Sequence, residues 1–209
     1  MAFPCILCYN TGSRHKGGEV ANMVEKETLR KHLLQWEGML ADYSLPAWDA
    51  FPALPLYMDQ VIFLLNRYLA LSPEQNGEKL VTPAMINNYV KLKIIPPPVK
   101  KRYGRTHLAY LVIVCVCKQT LNTNDIKKLI PVTLSEEEIQ GVYAEFVAAF
   151  AGMQQYICQE VRKAVKPLFS AENAPVTHLL FRTAAASNLS QLLTEEILRL
   201  DEWGEGNRG

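Results

Sequence analysis

The stretch that decides the fold is Thr82-Pro-Ala-Met-Ile-Asn-Asn-Tyr-Val-Lys-Leu-Lys-Ile-Ile95. The Thr82 hydroxyl can accept a hydrogen bond from a free backbone N–H at the start of a helix, and Pro83 sits where no N–H is needed. Three prolines follow directly at 96–98, and proline cannot continue a helix. The stretch therefore predicts a helix over 82–95.

This helix lies in the most basic part of the chain. Between Lys79 and Ile130 there are ten Lys and Arg residues and one acid, whereas the rest of the chain holds 12 basic and 20 acidic residues. The formal net charge of +1 therefore hides a segment of +9 in a body of −8. Because such separation raises electrostatic self-repulsion, it predicts an anionic partner. The alternative is a solvated basic face with no ligand.

The composition is that of a globular protein with a real core. The 209 residues are 49% hydrophobic and 21% charged, which suits one or two domains. The longest apolar run, Leu108 to Cys117, is about half of the roughly 20 residues that span a membrane, so it predicts a buried helix segment. The apolar residues 2–8 follow no positive charge and make a poor secretory signal. We therefore expect a cytoplasmic protein without a membrane partner.

The cysteines and histidines form no metal or catalytic pattern. Five cysteines, an odd number, do not predict a disulfide framework. Cys115 and Cys117 would lie about 200° apart on a helix, so they are predicted core residues, and Cys5-x-x-Cys8 near His15 lacks a second ligand pair. The sequence has no glycine-rich phosphate loop and no nucleophile beside its four histidines. We expect no cofactor, no metal and no enzymatic activity.

Residues 1–22 are expected to be disordered and are a candidate for sequence that is not translated natively. Lys16-Gly-Gly-Glu-Val20 can be encoded by a purine-rich stretch resembling a bacterial ribosome-binding site, and Met23 follows shortly after it. We hypothesise that translation begins at Met23. Intact-mass measurement of the native protein decides this, since a species that begins at Met1 contradicts it.

The regions around the basic segment also predict helices, and strand patterns are nearly absent. The fold class is therefore predicted to be all-α, with a proline-rich extended connector at 45–55. We expect one helical domain over 23–131. Its helices are predicted at Val24 to Leu40, about Tyr57 to Leu71, 82–95, Thr106 to Cys117, and Asn122 or Thr123 to Leu129.

The C-terminal region, residues 132–209, is predicted to hold two helices and an association surface. Ser135 and Glu138 have the spacing of a capping box. The first helix is expected to end near Lys166-Pro167, and the second carries Leu189 to Leu200. The seam between them predicts either a homodimer interface or an intramolecular hairpin, and the sequence leaves both open. The seam residues alternate spacings of four and three: Ile139, Tyr143, Phe146, Phe150, Met153 and Ile157.

Residues 81–130 resemble the winged helix-turn-helix domain of the MerR family, within a unit at about 56–131. Met85-Ile-Asn-Asn-Tyr-Val90 is in register with the family's Thr-Leu-Arg-Tyr-Tyr-Glu, and Lys93 stands where the family has Gly. Asp125-Ile-Lys-Lys-Leu-Ile130 resembles its Glu-Ile-Lys-x-Leu-Leu. The prolines at 96–98 remove ladder donors, so we expect no regular two-stranded wing. Leu56 to Ile130 also resembles a bacterial family catalogued only as a domain of unknown function.

The resemblance implies a sequence-specific transcriptional regulator that places helix 82–95 in the major groove of double-stranded DNA. Asn87 and Asn88 are the predicted base-reading residues, because their amides can pair with an adenine edge; simple exposure is the alternative. For Tyr89 and Tyr103, packing inside the fold is an equal alternative to phosphate contact. The predicted phosphate contacts are Thr82, Tyr89, Lys91, Lys93, Lys100, Lys101, Arg102, Tyr103 and Arg105.

Two questions about partners stay open at this point. A regulator of this kind is expected to be a homodimer, and a small-molecule effector is compatible with the C-terminal helices although no residue specifies one. The alternative function is a protein-interaction adaptor whose basic helix docks an acidic partner. Salt-dependent binding to duplex DNA favours the regulator, and retention of proteins alone favours the adaptor.

Overall fold

A computed structural model describes residues 26–70, 80–170 and 176–206. Its described residues contain isolated β-bridges but no strand, which confirms the all-α fold class. No helix in these ranges is long and apolar enough to cross a membrane. The features predicted for residues 1–22 lie outside the described residues. The helices are α1 (Lys26–Asp42), α2 (Met58–Leu69), α3 (Pro83–Lys91), α4 (Arg105–Cys117), α5 (Thr123–Leu129), α6 (Glu136–Ser170) and α7 (Val176–Gly206).

Helix α4 forms the centre of the fold. Every residue from Leu108 to Val114 is at most 1% exposed, which confirms the buried helix predicted from the apolar run. A helix without a polar face is stable only where other elements surround it. Helices α2 and α6 both pack against α4. The core therefore includes elements from both sides of the boundary predicted at residue 131.

The start of α4 differs from the prediction. The helix was predicted to begin at Thr106, but it begins at Arg105 and its N-cap residue is Gly104. The ring nitrogen Nδ1 of His107 accepts a hydrogen bond from the Gly104 N–H at 3.1 Å. The histidine therefore satisfies a backbone donor at the helix start.

The connector at 45–55 contributes aromatic side chains to the core. A short 3-10 turn, Trp48–Ala50, interrupts its extended backbone. Trp48 and Phe51 are buried, and their ring centroids lie 6.4 and 5.1 Å from that of Tyr143 on α6. The Tyr143 hydroxyl donates a hydrogen bond of 2.7 Å to the carbonyl oxygen of Pro46. The connector is therefore fixed by α6.

The first half of the predicted dimer seam on α6 is buried inside one chain, so this part of the prediction is wrong. Ile139 and Tyr143 are 0% exposed inside one chain, so neither side chain is free to contact a second copy. Phe146 and Phe150 are half-buried and pack against the same core. The cause is the connector, whose aromatic residues cover the first half of α6. The predicted domain boundary at residue 131 thus does not separate two cores.

The second half of α6 packs along α1. The Gln154 amide donates a hydrogen bond of 2.6 Å to the carbonyl oxygen of Tyr43, and Arg162 forms a 2.7 Å ion pair with Glu37. Ile157 is half-buried, whereas Met153 is 58% exposed. In this half of α6 the packing partner is therefore α1, and not the last helix.

The two ends of α6 show one prediction confirmed and one wrong. The capping box forms, because the Ser135 N–H donates to Glu138 Oε2 at 2.7 Å and the Glu138 N–H donates to Ser135 Oγ at 3.3 Å. Helix α6 continues through Pro167 to Ser170, past the end predicted near Lys166. Pro167 lacks the N–H that would donate to the Lys163 carbonyl oxygen, so it removes one intrahelical hydrogen bond, and the helix tolerates this loss in its last turn.

We predict that Tyr143→Phe lowers the free energy of unfolding by about 1–2 kcal/mol, because it leaves the carbonyl oxygen of the half-buried Pro46 without its donor. Urea unfolding of the full chain measures this. Tyr156→Phe is the matched control, since Tyr156 lies on the same helix and is 53% exposed. An equal effect of the two substitutions contradicts the assigned role of the Tyr143 hydroxyl.

Candidate nucleic-acid interface

Helix α3 has one buried and one exposed face. The Thr82 hydroxyl accepts a hydrogen bond of 3.3 Å from the Met85 N–H, which confirms the predicted cap. Ile86 is fully buried, whereas Asn87 and Asn88 are both exposed. Lys91 lies one turn further along the helix and is also exposed. The two amides and the ammonium group are therefore available to one partner.

The Asn66 side chain of α2 fixes the entry into α3. Its amide nitrogen donates to the Val81 carbonyl oxygen at 3.1 Å, and its amide oxygen accepts from the Val81 N–H at 3.0 Å. This pair of hydrogen bonds imitates a β-bridge one residue before the Thr82 cap. It holds α2 and the start of α3 in a fixed relation, and no sequence pattern predicted it.

Helix α3 ends at Lys91, four residues before the predicted end at Ile95. The Ile94 N–H donates to the Tyr89 carbonyl oxygen at 2.9 Å, and the Lys93 N–H donates to that of Val90 at 3.0 Å. These two bonds define a Schellman motif, in which the residue at Lys93 has left-handed backbone. Its φ is indeed 54°. Glycine is favoured at this position because it has no Cβ.

No regular two-stranded wing forms, as expected, because the described residues hold isolated bridges but no strand. A tight turn follows the prolines instead, and we call residues 99–102 the wing. Val99 and Arg102 exchange two backbone hydrogen bonds of 3.0 and 2.9 Å, which close a hairpin of two central residues. Those residues, Lys100 and Lys101, have φ of 49° and 63°, as a type I′ turn requires. The prolines at 96–98 do not prevent this, because they precede the residues that donate the ladder hydrogen bonds.

The wing is attached to the segment before α2. Leu56 and Tyr103 exchange two backbone hydrogen bonds of 2.8 and 2.9 Å. The Arg102 guanidinium donates to the Tyr57 hydroxyl at 2.6 Å and lies 4.1 Å from the centroid of its ring. Arg105 Nε donates to the Phe51 carbonyl oxygen at 3.1 Å. The partners that hold both arginines carry no charge, so these contacts do not neutralise the positive charge of either guanidinium group.

A cleft of about 530 Å³ opens beside the wing. Its charged lining consists of three cations, Lys100, Arg102 and Arg105, and one acid, Glu136. Three exposed or half-buried cations in one cleft raise the local concentration of anions. The wing and α3 therefore carry most of the positive charge predicted for the DNA-binding surface.

Two predicted phosphate contacts are wrong. Tyr89 is 6% exposed and Tyr103 is 3% exposed, so neither ring lies on the surface. Burial, with a smaller effect from nearby Cys115, raises the pKa of Tyr89 to about 12. Burial also raises the pKa of Tyr103, whose ring packs edge-on against His107 at 5.5 Å. Both tyrosines are core residues, which is the alternative that the sequence left open.

The described residues contain no group of three or more His, Cys, Asp or Glu side chains placed to hold a metal ion. Cys115 and Cys117 are partly buried free thiols, and burial raises their pKa values to about 12 and about 11. Raised values leave these thiols protonated and unreactive, which fits the core positions predicted for them. Cys5, Cys8 and His15 lie outside the described residues.

Residue preferences alone do not predict the left-handed backbone of these lysines. Lysine is a good helix former, so Lys93 extended the predicted helix, and Lys-Lys is not a usual pair for a two-residue hairpin. The one available signal was the alignment of Lys93 with a glycine of the MerR pattern. That alignment indicated a position where the backbone needs glycine-like freedom.

The comparisons with known proteins describe the same region. No curated protein and no solved structure matches the chain. The resemblance to a domain of unknown function is confirmed, but the match says nothing about a MerR-type DNA-binding region. The matched segment begins at the connector and ends on the first half of α6, so it coincides with the core around α4. Residues 46–146, which include α3 and the wing, match the family described as Domain of unknown function (DUF1836).

Proposed function

We propose that this protein is a sequence-specific DNA-binding transcriptional regulator that inserts α3 into the major groove. Asn87 and Asn88 read base edges, and the phosphate contacts are Thr82, Lys91, Lys93, Lys100, Lys101, Arg102 and Arg105. One such helix covers only a short half-site, so the proposal includes two copies on one operator. Phosphate contacts position the helix, and the amides supply the sequence preference.

The observation that carries the proposal is the conformation of three lysines. Lys93, Lys100 and Lys101 are the described non-glycine residues with positive φ. A side chain in this conformation costs of order 1–3 kcal/mol, and glycine avoids that cost. All three are exposed, so their side chains do not stabilise the core. Lysine at these sites is explained if its charge is needed there, as on a surface that binds phosphates.

A non-enzymatic role is part of the proposal. Both ring nitrogens of His107 contact backbone atoms, Nδ1 the Gly104 N–H and Nε2 the Pro97 carbonyl oxygen at 3.1 Å. The protonated thiols of Cys115 and Cys117 are poor nucleophiles. These groups therefore support the fold rather than a reaction.

A protein-interaction adaptor is the second candidate, and exposed apolar side chains favour it. Val99 of the wing is 68% exposed, Leu54 is 79% exposed and Phe63 of α2 is 67% exposed. Large exposed apolar groups near one another can mark a protein interface. Under this alternative the basic surface docks an acidic protein. The affinity of the chain for DNA then does not depend on the DNA sequence.

Selection of bound fragments from genomic DNA, followed by salt titration on the best site, tests the proposed function. Six cations on this surface, Lys91 to Arg105, predict that log K falls with log salt with a slope of about −5. A defined motif with this slope supports the regulator. The absence of an enriched motif together with a slope near zero excludes it.

We predict that Asn87→Ala or Asn88→Ala weakens the selected site by about 1–3 kcal/mol more than it weakens random DNA, because base contacts carry the sequence preference. Lys100→Ala is expected to weaken both alike. Competition binding with the two DNAs measures the ratio. Lys31→Ala, an exposed cation on α1, is the control and leaves both affinities unchanged. Equal losses on the two DNAs for the Asn variants remove their base-reading role.

We predict that Lys93→Gly has opposite effects on stability and binding. It should raise the free energy of unfolding by about 1 kcal/mol, because glycine relieves the left-handed strain at the end of α3. It should also lower DNA affinity by removing a phosphate contact. Urea unfolding and binding titration measure the two quantities. Lys91→Gly, within the helix, separates the causes because it should lower both.

A further inference from the structure

Helix α7 carries an apolar face that the described chain leaves uncovered. At about 100° per residue, six large apolar side chains fall within one arc of the helix, and the opposite arc carries polar residues such as Thr183, Gln191 and Glu195. A contiguous apolar face of this kind marks an interaction site, unlike a single exposed leucine. The six side chains are 52–74% exposed: Phe181, Leu189, Leu192, Leu193, Ile197 and Leu200.

The contact between α6 and α7 does not cover this face. Arg182 of α7 forms an ion pair of 2.8 Å with Glu160 of α6. Met153 and Tyr156 on α6 are themselves 58% and 53% exposed, so they are not buried by α7. The intramolecular hairpin, one of the two alternatives for the seam, therefore does not cover the apolar faces of these two described segments.

When two copies of α7 lie antiparallel, the residues on their apolar faces are complementary in charge and in size. In an antiparallel helix pair that crosses at Leu189, a residue a given number of positions before Leu189 faces the residue equally far after it on the other helix. Opposite charges then meet, and small side chains meet large ones. The facing pairs are Arg182 with Glu196, Ala185 with Leu193, and Ala186 with Leu192.

We propose that the apolar face of α7 binds α7 of a second copy of this chain, antiparallel, with the two-fold axis at Leu189. Arg182 then faces Glu196 of the partner subunit, and the two-fold axis repeats the pair. Arg182 is 58% exposed and Glu196 is 47% exposed, so both can reach across. A parallel pair instead places like charges opposite each other at both positions, which is unfavourable.

The α7 dimer supplies the two copies of the chain that the proposed function requires. The proposal of this dimer rests on the proposed function only through that requirement. Its test uses the full chain without DNA, so failure of self-association and failure of DNA binding are separate results. The order of residues in α7 is the reason to favour a second copy over α6 or an unrelated protein.

Sedimentation equilibrium measures the association. The wild-type chain should be a dimer that dissociates on dilution, and Leu189→Glu should be monomeric at all concentrations used. Gln191→Glu, on the polar arc, is the matched control and should remain a dimer. All three should show the same helical circular dichroism, because these side chains are exposed in the single chain. A wild-type monomer, or a Leu189→Glu dimer, overturns the proposal.

Charge reversal tests the antiparallel register. Arg182→Glu and Glu196→Arg should each weaken the dimer by roughly tenfold or more, because each places two like-charged pairs at the interface. The double variant should recover the wild-type dissociation constant, since both pairs are again opposite. Both residues also form ion pairs within the chain, Arg182 with Glu160 and Glu196 with Arg199, so the double variant and not either single variant is the decisive measurement. Lack of recovery in the double variant overturns the register.

Discussion

The structure depends on one constraint: α4 is apolar on every side and must be covered on every side. Its residues Leu108 to Val114 leave no face for water, and exposing any part of it costs about 25 cal/mol per Å². The cover consists of α2, α6, the connector and the buried face of α3. Ile86 and Tyr89 of α3 belong to this cover, so the core sets which face of α3 is exposed. The position of Asn87 and Asn88 thus follows from the requirements of a helix that never meets solvent.

The sequence predicted best what short-range chemistry determines. The Thr82 cap, the Asn122 start of α5 and the Ser135 capping box each depend on residues within three positions, and all of them form. The seam on α6 was harder to predict. A heptad pattern predicts that one face of a helix is buried, but it does not identify the element that buries it. Its cover comes from α1 and the connector, roughly 100 residues away in the sequence. The end of α3 was missed because lysine favours the helix that Lys93 terminates.

The basic surface shows a conflict between backbone preference and charge. At Lys93 the chain has the left-handed backbone that glycine favours, and the MerR pattern has glycine in the same register. Lysine therefore adds a charge at a position where the backbone favours glycine. In the wing, Val99 and Arg102 close the hairpin although both central residues are lysines. Backbone hydrogen bonds hold the turn in this conformation, and the two central lysines carry their charges on it.

The hydrogen bond from Tyr143 to Pro46 has a consequence for how the protein is made. Its two residues are 97 positions apart, so the connector cannot be fixed in place until α6 has been synthesised. During translation Trp48 and Phe51 leave the ribosome long before the helix that covers them. Non-local contacts of this kind slow folding and leave apolar side chains exposed in the nascent chain. The N-terminal half of the protein should therefore need chaperone protection until residue 143 has emerged.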